Sequence, residues 1–225
     1  MRFPNAATGV KRIFTAQILQ LIGTICMVIG CIILISGGAT AVLSKGSDAG
    51  LVAALTQAAG ASIFLVAYSI LAIIAFIMQL VGIINAKKDE DSFKSALICT
   101  IIGIIAPIVG GLFVRVSPVV SSLCISFGNL MGLFVTIFII SGIIKLADQL
   151  NRGDVSTKGS NILKIIIVIA AISLILSIVS SFMLTNTAIL VTAMILLAIS
   201  MILSLVQYIM FLTLLSQGKK MLLES

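Results

Sequence analysis

The side chains able to do chemistry within the apolar parts of this sequence are Gln17, Gln20, Tyr68, Gln79, Asn129, Gln207 and Tyr208. All are polar and none is charged at neutral pH. On a helix, Gln17, Gln20 and Thr24 share one face. Gln79 and Gln207 fall late in their own apolar runs, so chains that run back and forth return both to the end where Gln17 and Gln20 lie. Amides at that place can do two things. They can bind one another across helices, worth about 0.6–2 kcal/mol per bond in a membrane, or they can orient a neutral solute. Gln17, Gln20, Gln79 and Gln207 are the candidate polar cluster, and the structural role is preferred.

Acid–base chemistry has little to work with. The chain contains no histidine, and no Asp, Glu, Lys or Arg lies deep within an apolar run. Proton relays, ion-coupled pumps and voltage sensors place ionisable groups there. Hydrolysis needs an activated nucleophile beside a base. No catalytic residue is assigned, and the chain is expected not to be an enzyme. Cys26, Cys31, Cys99 and Cys124 form no CxxC pair and lie within or at the edge of apolar runs, where they serve as packing residues rather than disulfides or zinc ligands. The "KKDED" run, with Asp89, Glu90 and Asp91, offers too few oxygen ligands for a cation site and is expected to be solvated. No metal and no cofactor are predicted.

Composition sets the context for these residues. The chain of 225 residues is 60% hydrophobic and 9% charged, with a mean hydropathy of +1.32. A soluble domain carries about 25% charged residues, so the expected solvent is lipid. The net charge of +7 comes from basic residues flanking apolar runs, which is a topology signal. It is not the clustered patch of a nucleic-acid binder, and no nucleic-acid partner is expected.

Charges divide the chain into helices at approximately 13–36, 61–85, 95–114, 119–145, 165–184 and 187–215. The first run is longer than the roughly 7–15 apolar residues of a signal peptide, so it reads as a retained span. From Ile165 to Gly218 there is no charge. One helix of that length would reach about 80 Å against a hydrocarbon core of about 30 Å, so the chain must turn back, and "LTNT" at 184–187 is the place. Backbone groups in lipid must satisfy one another, and continuous apolar runs lack the alternation of barrel strands. The fold class is therefore all-α integral membrane, a six-transmembrane helix bundle forming a single membrane domain over 1–225. Its cytoplasmic loops are 86–94 and 146–164. Every basic residue except Lys45 and Arg115 falls on the side of the termini, which places both termini in the cytoplasm. "GIINA" at 82–86 and "GIIKLA" at 142–147 suggest three repeated helical hairpins.

Small residues run in stripes along these helices. Gly9, Ala16, Gly23, Gly30 and Gly37 are seven apart and stay close to one helix face. The third helix has Cys99, Gly103, Ala106 and Gly110, and a proline, Pro107, expected to kink it. The fourth has Gly128 and Gly132 as a GxxxG. Lipid is as apolar as leucine, so helices associate through close approach rather than hydrophobicity. Ala16, Gly23, Gly30, Gly37, Gly103, Gly110, Gly128 and Gly132 are the predicted helix-packing residues, with large aliphatic side chains facing lipid.

The expected function is that of a non-enzymatic structural or accessory subunit of a membrane complex in a bacterial-type plasma membrane. Its expected partners are the lipid bilayer, a second copy or another membrane protein, and anionic headgroups at the cytoplasmic face. The alternative is a facilitator or channel for a neutral or lipophilic small solute.

Overall fold

A computed structural model describes the backbone of residues 2–43, 48–182 and 187–224, with side-chain surroundings for most of them, the main exceptions being 37–51 and 172–202. The described residues form six helices: α1 (Pro4–Leu43), α2 (Asp48–Ala86), α3 (Ser92–Phe113), α4 (Pro118–Gln149), α5 (Gly153–Phe182) and α6 (Thr187–Glu224). Four segments among these residues are long and apolar enough to cross a membrane: Pro4–Ser36, Thr56–Ala86, Ser92–Phe113 and Leu123–Gln149. Large aliphatic side chains lie open along them, Ile35 at 73%, Ile63 at 69% and Leu112 at 76% exposure. Contiguous apolar surface on this scale is stable against lipid and not against water.

The helices run beyond the apolar runs because polar residues cap and extend them. Ser117 precedes α4 in an extended conformation, accepts a long hydrogen bond from Val120 N (3.5 Å), and is followed by Pro118 in the first turn. Proline suits that position because its missing N–H would have had no helical partner. At the other end of α4, Asn151 adopts a left-handed backbone (φ 54°). Its N–H donates to Asp148 O (3.1 Å), and Arg152 N–H donates to Ala147 O (2.9 Å). This paired reversal is a Schellman motif, with Asn where Gly is commonest. It lets α5 begin at once, with Val155 N–H and Ser156 N–H both donating to Arg152 O.

The chain divides into two compact units. The larger comprises Met1–Lys11 and Gly82–Ser225, the smaller Arg12–Val81. In the larger unit α3 packs on α4, α4 on α5 and α6, and α5 on α6. Fully buried side chains there include Phe93, Ile139, Ile140, Ile143, Leu146, Ile166, Leu214 and Leu215. Large aliphatics thus face inward where several helices meet, contrary to a uniform rule of small residues inside. Where two helices approach most closely, small side chains fit between them, whereas three or more helices enclose a centre wide enough for leucine and isoleucine.

The α3–α4 contact does follow the small-residue rule, in a phase of its own. Phe93, Ala96 and Thr100 are buried on α3, and Gly103, Pro107 and Gly110 continue that face into contact with α4. The spacing alternates three and four, the repeat of a left-handed helix pair. A methyl at Gly103 would stand 3.3 Å from Met131 Cβ, and one at Gly110 would stand 2.9 Å from Cys124 Cβ. Cys99 is half-buried beside the seam, which runs through Thr100 and Pro107 rather than through Cys99 and Ala106.

In the smaller unit the α1 and α2 segments are antiparallel. A methyl at Gly23 would meet Tyr68 Cδ2 at 3.4 Å and Leu71 Cβ at 3.5 Å, and one at Gly30 would meet Phe64 Cβ at 3.2 Å. Ala16, one heptad before Gly23, is fully buried. Gly37 lies outside the residues whose surroundings are described.

Candidate functional site

The polar residues of the smaller unit gather along one stretch of the α1–α2 seam. Gln17 Nε2 donates to Gln79 Oε1 at 3.5 Å, a long and therefore weak bond. Gln17 is buried, at 6% exposure. One turn further along α1 a cavity of about 100 Å³ opens, lined by Gln20, Gly23, Thr24, Tyr68, Ala72, Ala75, Phe76 and Gln79. The space exists because Gly23, Ala72 and Ala75 carry almost no side chain. The Thr24 hydroxyl donates to the Gln20 carbonyl (2.9 Å) within α1, so it is satisfied locally. Gln20 and Gln79 therefore line one cavity, and Gln17 is bonded to Gln79 beside it. Gln207 lies on α6 in the larger unit and is half-buried.

The packing residues divide into those in contact and one that is open. Gly23, Gly30, Gly103, Gly110 and Gly128 each face atoms of a neighbouring helix within 4 Å. At Gly132 a methyl would meet nothing within 4 Å. Asn129, three residues earlier, is exposed on α4. The two glycines of the GxxxG are thus used differently: Gly128 faces α3, and Gly132 has open space beside it.

A second polar centre lies at one end of the larger unit, where the carboxylates of the "KKDED" run were expected to be merely solvated. Asp89 accepts from Asn5 Nδ2 at 3.0 Å and from the backbone N–H of Ala6 at 2.7 Å. It caps the first turn of α1 from 83 residues away in the chain, where unpaired N–H groups and the helix dipole both favour an anion. Asn5 lies inside that turn and donates to the capping carboxylate. Glu90 accepts from Ser92 N (3.3 Å) and Ser92 Oγ (3.1 Å) and pairs with Lys145 Nζ at 3.3 Å. Its side chain is only 9% exposed. Around them Arg2 donates to the Gln149 carbonyl (3.4 Å), and Arg152 pairs with Glu224 (3.6 Å). No periodicity signals these contacts. The one cue was the position of the acidic run between two helices, beside a chain terminus that begins a third.

Comparison of the chain with known protein families, curated proteins and solved structures finds no match. Four of the described helices are long and apolar enough to cross a membrane, which is compatible with a membrane protein.

Proposed function

We propose that this chain is a non-enzymatic six-span membrane protein, built of three consecutive hairpins with both termini in the cytoplasm, acting as a structural or accessory subunit of a membrane complex. The observation that carries this reading is how its side chains are committed. Glycine, alanine and proline occupy the α1–α2 and α3–α4 seams, while Asp89 and Glu90 cap and pair helix ends. Carboxylates held in this way are occupied by architecture and leave no positioned base for a nucleophile.

Four further observations support the arrangement. The N-terminal residues, the 87–91 loop, the α4–α5 turn and the end of α6 meet at one end of the larger unit through Asp89, Gln149, Arg152 and Glu224, as an even number of crossings requires. The strong basic excess there favours the cytoplasm and contact with anionic headgroups. Gly82 and Gly142 hold equivalent places in successive hairpins, each against the first helix of its own pair, at Gly9 and at Phe93. Open space at Gly132 beside the exposed Asn129 supports association with a second copy or another membrane protein, since small residues and amides are the usual means of helix association in lipid.

Single cysteines introduced into a chain whose own four are replaced by alanine test the topology with an impermeant maleimide. Arg115→Cys should label in intact cells, and Asp91→Cys and Asn151→Cys only after permeabilisation. In-membrane crosslinking tests the subunit role: a larger species is expected, and a lone monomer at every crosslinker dose contradicts it. A second reading, a facilitator or channel for a neutral or lipophilic solute, is favoured by one observation, the cavity between α1 and α2.

A further inference from the structure

The cavity in the smaller unit has a polar lining that the fold does not use. Among the described residues the side chains of Gln20 and Tyr68 have no hydrogen-bond partner, although both line the space. Gln79 contributes one oxygen to Gln17 and retains its own N–H donors. Polar groups left unpaired in hydrocarbon are costly, so a ligand that pairs them gains affinity from that alone.

Placement and charge narrow the ligand. Gln20 and Thr24 follow the Lys11–Arg12 pair by two to three helical turns, about 12–18 Å along the axis. Half a hydrocarbon core is about 15 Å, so the site lies within the apolar layer if α1 spans it as proposed above. No charged residue lines it, so a charged headgroup would have no counter-charge there. Gln20, Thr24 and Phe76 on the rim are exposed, which opens the cavity sideways. Its volume admits a head of a few heavy atoms and leaves a longer body outside.

We propose that this cavity binds the head of a neutral, single-chain amphiphile, a long-chain alcohol or ketone, entering sideways from the bilayer with its oxygen hydrogen-bonded to Tyr68 and Gln20. Tyr68 reports on its own site. The chain has two tyrosines and no tryptophan, so Tyr208→Phe leaves Tyr68 as the sole tyrosine emitter. The experiment titrates that full-length variant, in phosphatidylcholine–phosphatidylglycerol vesicles, with a long-chain alcohol brominated beside its hydroxyl. A brominated alkane of equal length serves as the control.

Saturable quenching by the alcohol, at least twofold deeper than by the alkane, is expected. Gln20→Leu, on an exposed position that leaves packing intact, should raise the half-saturating concentration at least threefold. Gly23→Leu, which fills the space, should abolish saturation. Quenching that rises linearly and equally for both probes overturns the site while leaving the membrane reading in place, as does saturable quenching unchanged in both variants. Absence of quenching by either probe contradicts both, because Tyr68 would then not lie in lipid.

Discussion

The ring of Pro107 on α3 fills the notch where Gly128 on α4 lacks a side chain: a methyl at Gly128 would stand 2.6 Å from Pro107 Cγ and 2.8 Å from Cδ. Proline at 107 has no N–H to offer the carbonyl of Gly103 four residues back. That carbonyl lies 3.2 Å from the methyl position of Gly128, and the Gly128 carbonyl lies 3.6 Å from that of Gly103. The two glycines thus turn Cα hydrogens toward each other's carbonyls, a weak contact that recurs between closely packed helices. A helix defect and a helix notch are matched across one seam.

Gly128→Ala should therefore lower stability by about 1–3 kcal/mol, the range for overpacking a close contact. Gly132→Ala, with open space around it, should hold or raise intramolecular stability, by up to about 1 kcal/mol, because alanine favours the helix interior. Thermal unfolding of each variant in the same detergent measures the difference, and equal effects would contradict the distinction drawn between the two glycines.

The Phe93–Gly142 contact allows a rescue experiment. A methyl at Gly142 would lie 2.6 Å from Phe93 Cε2, against a ring with no exposure. Gly142→Ala should destabilise by about 1–3 kcal/mol, and Phe93→Leu in the same chain should recover part of that loss. A coupling of about 0.5 kcal/mol or more is expected for residues in contact, read from unfolding midpoints of the single and double variants; strict additivity would rule the contact out.

Parts of this arrangement can be read from the sequence, and the rest could not be. The seven-residue spacing of Ala16, Gly23 and Gly30 marks a single face because period alone defines it. On α3, Gly103 and Gly110 lie on the seam with α4, but a search for small residues passes over Pro107, whose compact ring packs only because Gly128 receives it. The pairing is a property of two helices and shows in neither alone. The cap of α1 by Asp89 was invisible for the same reason, since capping residues are sought beside the helix they serve. Within the polar cluster, Gln17 and Gln79 share a bond and Gln20 and Gln79 share a cavity; Tyr68, which completes that cavity, stands on one helix face with Ala72, Ala75 and Gln79, at spacings of four, three and four.

Asp89→Ala should release the first turn of α1. The lost cap is worth about 1–2 kcal/mol, and hydrogen exchange at Ala6 should accelerate by at least tenfold, while amides in the middle of α3 stay as protected as before. Unchanged protection at Ala6 would show that another group supplies the cap.

Asn151 carries the left-handed residue of the α4–α5 turn. Asn151→Gly should hold or raise stability, by up to about 1 kcal/mol, because glycine adopts this conformation freely. Asn151→Val should lower it by about 1–2 kcal/mol. Unfolding midpoints check the order Gly ≥ Asn > Val, and any rise with valine contradicts the turn geometry.

Carbene labelling from lipids with a diazirine at the end of the acyl chain, mapped by residue, tests most directly which faces meet lipid. Label should concentrate at the exposed mid-span residues Ile25, Ile73, Ile101 and Ile105, and should be at least fivefold weaker at the neighbours that cover the glycines, Leu71 and Met131. Label spread evenly around each helix, or concentrated along the Gly23 and Gly103 faces, would contradict the account.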